Sequence, residues 1–102
     1  MNLDRLHQIF SNDKKMVTQF LGIFKSEIPS QLSKLEKAIK DKDKESISII
    51  AHSIKSQVKY LDLQKIAKKA LSIEEGIEQL DDLNDTFQEM KEELLEVLED
   101  LD

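Results

Sequence analysis

Apolar residues recur along this chain every three or four positions, in runs separated by short polar stretches. At ~100° per residue, such spacing gathers them on one face of a helix. Leu3, Leu6, Ile9 and Phe10 predict a short first helix, and Ser11-Asn12-Asp13 then offers N-cap side chains for a second. The second stripe opens at Met16 and runs through Val17, Phe20, Leu21, Phe24, Ile28, Leu32, Leu35 and Ile39. Pro29 lies inside it and removes one backbone hydrogen bond. The stripe keeps its phase across the proline, which predicts one long kinked helix rather than two. Asp41-Lys42-Asp43 ends that helix, with Asp43 placed to cap the next.

The third helix is predicted from about Lys44 to Tyr60, with Ile47, Ile50, Ala51, Ile54, Val58 and Leu61 inward. Asp62 stands where an N-cap belongs, ahead of a fourth helix that turns Leu63, Ile66, Ala67, Ala70, Ile73 and Ile77 inward. Leu80 to Asp85 reads as a polar turn, and the last helix uses Leu83, Phe87, Met90, Leu94, Val97, Leu98 and Leu101. Four amphipathic helices on short connections bury their stripes only against one another. The expected fold is all-α: an antiparallel up-down four-helix bundle, residues 1–102 forming one domain, with the short first helix closing one end.

Composition narrows the picture. Two glycines and one proline leave little for the tight turns of a β domain, and the absence of cysteine excludes disulfides and thiolate metal sites. No apolar run approaches the ~20 residues of a membrane span, so no membrane insertion is expected and the location is read as cytoplasmic. Met1 and the compact length fit a freestanding unit or a cloned domain. The net charge of −6 is unevenly spread: residues 40–69 hold eight lysines against four acids, residues 70–102 thirteen acids against Lys91. The acidic end reads as a solvated helix face. The basic middle is too weak and too poor in aromatics for nucleic acid. The methionines and phenylalanines read as core or end-plug residues, and His7 as a surface or end-packing residue.

One residue of the third helix is out of phase with its stripe. His52 lies about 140° from the centre of that stripe, near Ile54 and Val58, so it is predicted to project from the bundle. Ser48, Lys55, Ser56 and Lys59 share its surface at i−4, i+3, i+4 and i+7, and Ile49 at i−3 adds an apolar residue. One histidine among lysines is a poor metal site. Ser48 and Ser56 flank it, but a convex helix has no pocket for serine hydrolysis. A surface histidine without a role is the bland reading. Neutral imidazole is also a nucleophile near pH 7 and can take a phosphoryl group on one ring nitrogen while an acceptor holds the other. Lys55 stands one turn along, where a cation would neutralise phosphoryl oxygens, and the small Ser56 leaves room for a partner to approach.

The run Ala51-His52-Ser53-Ile54-Lys55-Ser56, followed by Leu61-Asp62-Leu63 and Ile66-Ala67, resembles the histidine-containing phosphotransfer (HPt) domain family. The family pattern is Ala-His-x-Leu-Lys-Gly, then Leu-Gly-Ala and an aliphatic-Ala pair. The helix with Phe20, Phe24 and Glu27-Ile28-Pro29 is similar to the one that precedes the family's histidine, so the likeness spans roughly residues 10–78. It implies a monomeric phosphorelay carrier that takes a phosphoryl group on His52 from a receiver-domain phospho-aspartate, or from a (hybrid) histidine kinase, and passes it to another response-regulator receiver. It also implies that Lys55 and Glu74 stabilise the phosphoryl group or orient the ring, and that Ser48, Ile49, Ser56 and Lys59 dock the partner. The chain would need no cofactor of its own, the Mg²⁺ coming from the receiver, and would have no independent catalytic activity. No glycine-rich nucleotide motif is present for a kinase. Ser56 and Asp62 replace two family glycines; Asp62 is expected to serve as a helix cap. Lys44, Lys55, Lys59 and either Lys65 or Lys69 are expected to steer an acidic receiver toward His52. The competing reading is a non-phosphorylated helical adaptor, a protein-interaction bundle whose acidic last helix binds a basic partner.

Overall fold

The computed structural model describes residues 1–101, of which the elements are α1 (Asp4–Ile9), α2 (Lys14–Lys40), α3 (Lys44–Tyr60), α4 (Gln64–Glu75) and α5 (Leu83–Leu101), with a 3₁₀ turn at Leu80–Asp82. The fold is all-helical, with no strand among the described residues. Helix α2 packs on α3, α3 on α4, α4 on α5, and α5 returns to α2, which closes a four-helix bundle of 42 × 21 × 20 Å. The short connections make successive helices antiparallel. Among the described residues no helix is long and apolar enough to cross a membrane.

The expected stripes supply the core. Phe24, Ile28, Leu35, Ile47, Ile54, Val58, Ile73, Phe87, Met90 and Leu94 are all fully buried. Helix α2 runs unbroken through Pro29, as the phase of its stripe required. Helix α1 lies against α2 and α3, where Arg5 Nε donates to the Lys59 carbonyl at 3.1 Å. Phe10 stacks on Tyr60 there, and Phe20 packs against both. Some expected core residues are outside it. Ile9 and Met1 are exposed, and Met16 is too, because Val17 beside it takes the inward place on α2. Ile50 is only half-buried.

Helices α1, α2 and α3 end in the same way. Ser11, Lys42 and Asp62 have φ of 51°, 56° and 56°, in the left-handed region. At each, the next residue's N–H reaches back five residues, as in Asp43 to Ala38 (2.9 Å) and Leu63 to Val58 (3.1 Å). These are Schellman terminations, whose left-handed position favours glycine. Asp13 and Asp43 cap the following helices as expected, accepting from Lys15 and Met16 and from Ser46 respectively. Asp62 does not. It is spent on ending α3, and Leu63 stands at the N-cap of α4 without a capping side chain.

Two further boundaries differ from expectation. Helix α4 stops at Glu75, so Ile77 lies beyond it and is half-buried. A Cβ on Gly76 would lie 2.8 Å from the Ser72 carbonyl oxygen and 2.9 Å from the Leu83 side chain, so that close approach requires glycine. The polar stretch before α5 is shorter than predicted, since Leu83 is buried and Leu83 to Asp85 are already helical.

Candidate functional site

Burial of Ala51 and Ile54 fixes the rotation of α3 and turns His52 outward, its side chain 62% exposed. Burial of Ala70 and Ile73 fixes α4 in the same way and brings Glu74, one residue on, to the α3 flank. Both carboxylate oxygens of Glu74 lie 3.2 Å from His52 Nδ1. Lys55 Nζ donates to the same two oxygens at 3.4 and 3.2 Å. One carboxylate is therefore shared between an imidazole and an ammonium, and the sequence-derived trio His52, Lys55 and Glu74 is a contiguous cluster.

The electrostatics set the tautomer. Burial pushes the Glu74 carboxyl up, but hydrogen bonds and charge from Lys55 and His52 outweigh it and leave the group below its ordinary value. An ionised carboxylate only accepts, so Nδ1 carries the hydrogen and Nε2 of the neutral ring keeps its lone pair. No hydrogen bond among the described residues involves Nε2. The arrangement presents a nucleophilic nitrogen to solvent and holds the opposite nitrogen against a negative charge.

Of the expected docking residues, Ile49 is 62% exposed, Ser56 and Lys59 are exposed, and Ser48 is half-buried. Of the expected steering lysines, Lys44 pairs with Glu78, Lys55 with Glu74, and Lys69 with Glu89 and Glu93. Lys59 and Lys65 pair with no acid among the described residues. Among the described residues, no group of three or more His, Asp or Glu side chains is placed to hold a metal ion.

Sequence reasoning missed two features. Gln31 Nε2 donates to Ser53 Oγ (3.2 Å) and Gln57 Nε2 to Gln31 Oε1 (2.8 Å), a half-buried polar clasp between α2 and α3 beside His52. The signal was Gln31 at i+3 from Ile28 and i−4 from Leu35, a polar residue at the edge of an apolar stripe. Leu71, one turn before Glu74 on the same flank of α4, is 38% exposed. Its signal was an apolar residue off the α4 stripe.

The fold and site define a four-helix bundle that holds one braced histidine at its surface. A profile of the Hpt domain family matches residues 19–101, and the chain belongs to that family. Hpt domains are phosphoryl carriers of two-component phosphorelays and interact with receiver domains and kinases. No curated protein and no solved structure matches the chain.

Proposed function

We propose that His52 Nε2 accepts a phosphoryl group from the phospho-aspartate of a receiver domain, or from a histidine kinase, and passes it to another receiver. The observation that carries this is the exposed imidazole whose Nδ1 is held by Glu74. In acceptance, the Nε2 lone pair attacks phosphorus. The N–P bond forms as the acyl phosphate P–O bond breaks, and the aspartate leaves as carboxylate. Nδ1 keeps its hydrogen, so positive charge develops on the ring 3.2 Å from the Glu74 carboxylate. Donation to a second receiver is the reverse, with imidazole as leaving group. Ser48, Ile49, Ser56, Lys59 and Leu71 form the docking surface, and the partner brings the Mg²⁺ and most of the catalysis. The chain acts as a monomer in the cytoplasm.

The test is transfer from an acetyl-phosphate-charged receiver. The expected product is an acid-labile, alkali-stable phosphate on the wild type and none on His52→Gln. Label accepted by His52→Gln overturns the assignment. No label on the wild type from a panel of receivers favours the adaptor reading. Chelating Mg²⁺ is expected to stop transfer while leaving this chain's own spectra unchanged, since the ion is assigned to the receiver.

A further inference from the structure

On the α2 side of His52, three side chains hold one another in an arrangement that the chemistry at Nε2 does not use. Gln57 Nε2 donates to Gln31 Oε1 at 2.8 Å and to the Ser53 carbonyl and Oγ at 3.2 Å each, and Gln31 Nε2 donates to Ser53 Oγ at 3.2 Å. Turning the Gln57 amide over would set its Oε1 against the Ser53 carbonyl, acceptor against acceptor, so the network fixes which end of the amide faces which way. Oε1 accepts from no group among the described residues. No buried side-chain nitrogen or oxygen among those residues lacks a partner, so this oxygen reaches solvent. We infer that the seam between α2 and α3 is a docking subsite that selects receivers by a cationic side chain, with Gln57 Oε1 as the acceptor that binds it. The inference deepens the proposed docking of receivers beside His52 and rests on that reading.

Position and charge define the ligand. Phe20 meets Tyr60, ring centroids 5.1 Å apart, and Gln31 meets Ser53, which sets the antiparallel register of α2 on α3. Glu27 lies between Phe20 and Gln31, level with Gln57, and is exposed with no cation paired to it among the described residues. Lys34 lies on the far side of Gln31, away from Gln57. On α3, Lys55 is held at Glu74, and Lys59 projects about 200° round the helix from Gln57. The oxygen of Gln57 and the carboxylate of Glu27 therefore face the seam without a neighbouring ammonium, a setting that favours a cation.

Selectivity follows from what surrounds the acceptor. Ile23 on α2 and Ile49 on α3 are 60% and 62% exposed, and Tyr60 stands one turn beyond Gln57. A receiver that covers these apolar side chains removes water from the oxygen among them. With a donor in place the hydrogen bond is replaced; without one the oxygen is left unpaired, which costs binding. The clasp fixes the amide before the partner arrives, so little ordering is left for docking.

The test measures affinity by calorimetric titration of the unphosphorylated chain with the receiver that, out of a panel, binds wild type most tightly. Gln57→Met should weaken binding about tenfold, and Gln57→Lys at least as much. Gln57→Glu, which keeps an acceptor oxygen, should hold or tighten it. Replacing the receiver's exposed lysines and arginines by methionine one at a time should find one that weakens wild-type binding by about the same factor and adds nothing in the Gln57→Met background. The nitrogen-15 signals of the His52 ring should stay as in wild type in Gln57→Met; a shift in them overturns the inference, because the clasp would then act on His52 and not on the partner. Binding of Gln57→Met within twofold of wild type also overturns it. So do equal losses in Gln57→Met and Gln57→Glu, which would reduce the clasp to packing between α2 and α3. Should Gln57→Met not fold, the receiver scan is read against wild type and Gln57→Lys, and the absence of any receiver cation that couples to position 57 is the overturning result. No titration involves phosphoryl transfer, so a coupled receiver cation with no label on His52 would sink the acceptor assignment and leave the docking subsite standing.

Discussion

At the scale of single residues, the site turns on what each side chain does for the one beside it. Glu74 illustrates this, because it is both a structural pairing and a chemical one. Its carboxyl is held below the ordinary value of 4.5 by Lys55 and His52 against the opposing effect of burial. A depressed folded value means that this pairing adds stability above the ordinary value and loses it as pH falls through the folded one. Unfolding curves of wild type and Glu74→Gln should therefore differ at neutral pH and converge in the acid range below 4.5. Truncation to alanine removes the acceptor altogether and should slow phosphoryl acceptance on the order of tenfold, measured at fixed receiver concentration. Ser56 is a different case. It stands at i+4 from His52, exposed, where the family pattern has glycine. Ser56→Gly should cost about 0.5 kcal/mol in helix propensity, a fall of a few degrees in Tm by thermal melting. The same variant should widen the range of receivers served in a panel assay, since the hydroxyl stands on the proposed docking face where the family pattern has glycine. An unchanged panel would remove Ser56 from partner choice.

At the scale of elements, His52 was legible in the sequence because helical phase is a sum over many residues. Six inward positions fix the rotation of α3, and a misreading of any one, such as half-buried Ile50, does not move His52 off the outer face. Glu74 was harder to read, since its contact depends on how α3 and α4 are set against each other, which the phase of each helix alone does not give. The terminations were the least legible. Asp62 is a good N-cap residue by type, yet its φ of 56° shows it ending α3, because the connection is so short that one residue must close the Schellman turn before α4 begins. Glycine is absent from all three such positions, and Lys42 carries a full side chain at φ 56°. Lys42→Gly should thus raise stability by about 0.5–1 kcal/mol, several degrees in Tm. The native glycines should respond to alanine with opposite signs. At Gly22 a Cβ meets nothing within 4 Å, so alanine should stabilise α2 by about 1 kcal/mol. At Gly76 it meets a carbonyl and the Leu83 side chain below 3 Å, so alanine should destabilise by about 1–3 kcal/mol. Denaturant melts of the three variants check all the signs.

At the scale of the whole molecule, charge is segregated, and the ion pairs decide which part of it a partner meets. Lys69 joins α4 to α5 through Glu89 and Glu93, and Lys91 joins α5 to α2 through Glu36. Half-exposed pairs of this kind are worth about 1 kcal/mol each, so their larger effect is on the field, where they cancel lysines against the acidic end of the chain. Lys44 is cancelled in the same way by Glu78, and Lys55 by Glu74. The attraction expected from the lysine-rich middle is thereby reduced, on the outer face of α3, to Lys59, two turns from His52 and without an acidic partner among the described residues. Lys59→Glu is the variant that isolates this effect. Its ammonium makes no hydrogen bond among the described residues, so the cost to folding should be limited to about 0.3–1 kcal/mol, from placing an anion in the last turn of α3; the Arg5 contact uses its backbone carbonyl and survives. Association with a receiver should slow several-fold at low salt, and the difference from wild type should vanish by about 0.5 M salt, where the Debye length is only a few ångströms. Maximal phosphoryl transfer at saturating receiver should not change, because steering alters encounter and not the reaction at Nε2. Stopped-flow association at several ionic strengths separates the outcomes. A deficit that persists at high salt would mean that Lys59 contributes to the complex by more than its charge. Indifference at low salt would mean that docking is governed by the exposed apolar side chains of Ile49 and Leu71 around His52 rather than by charge.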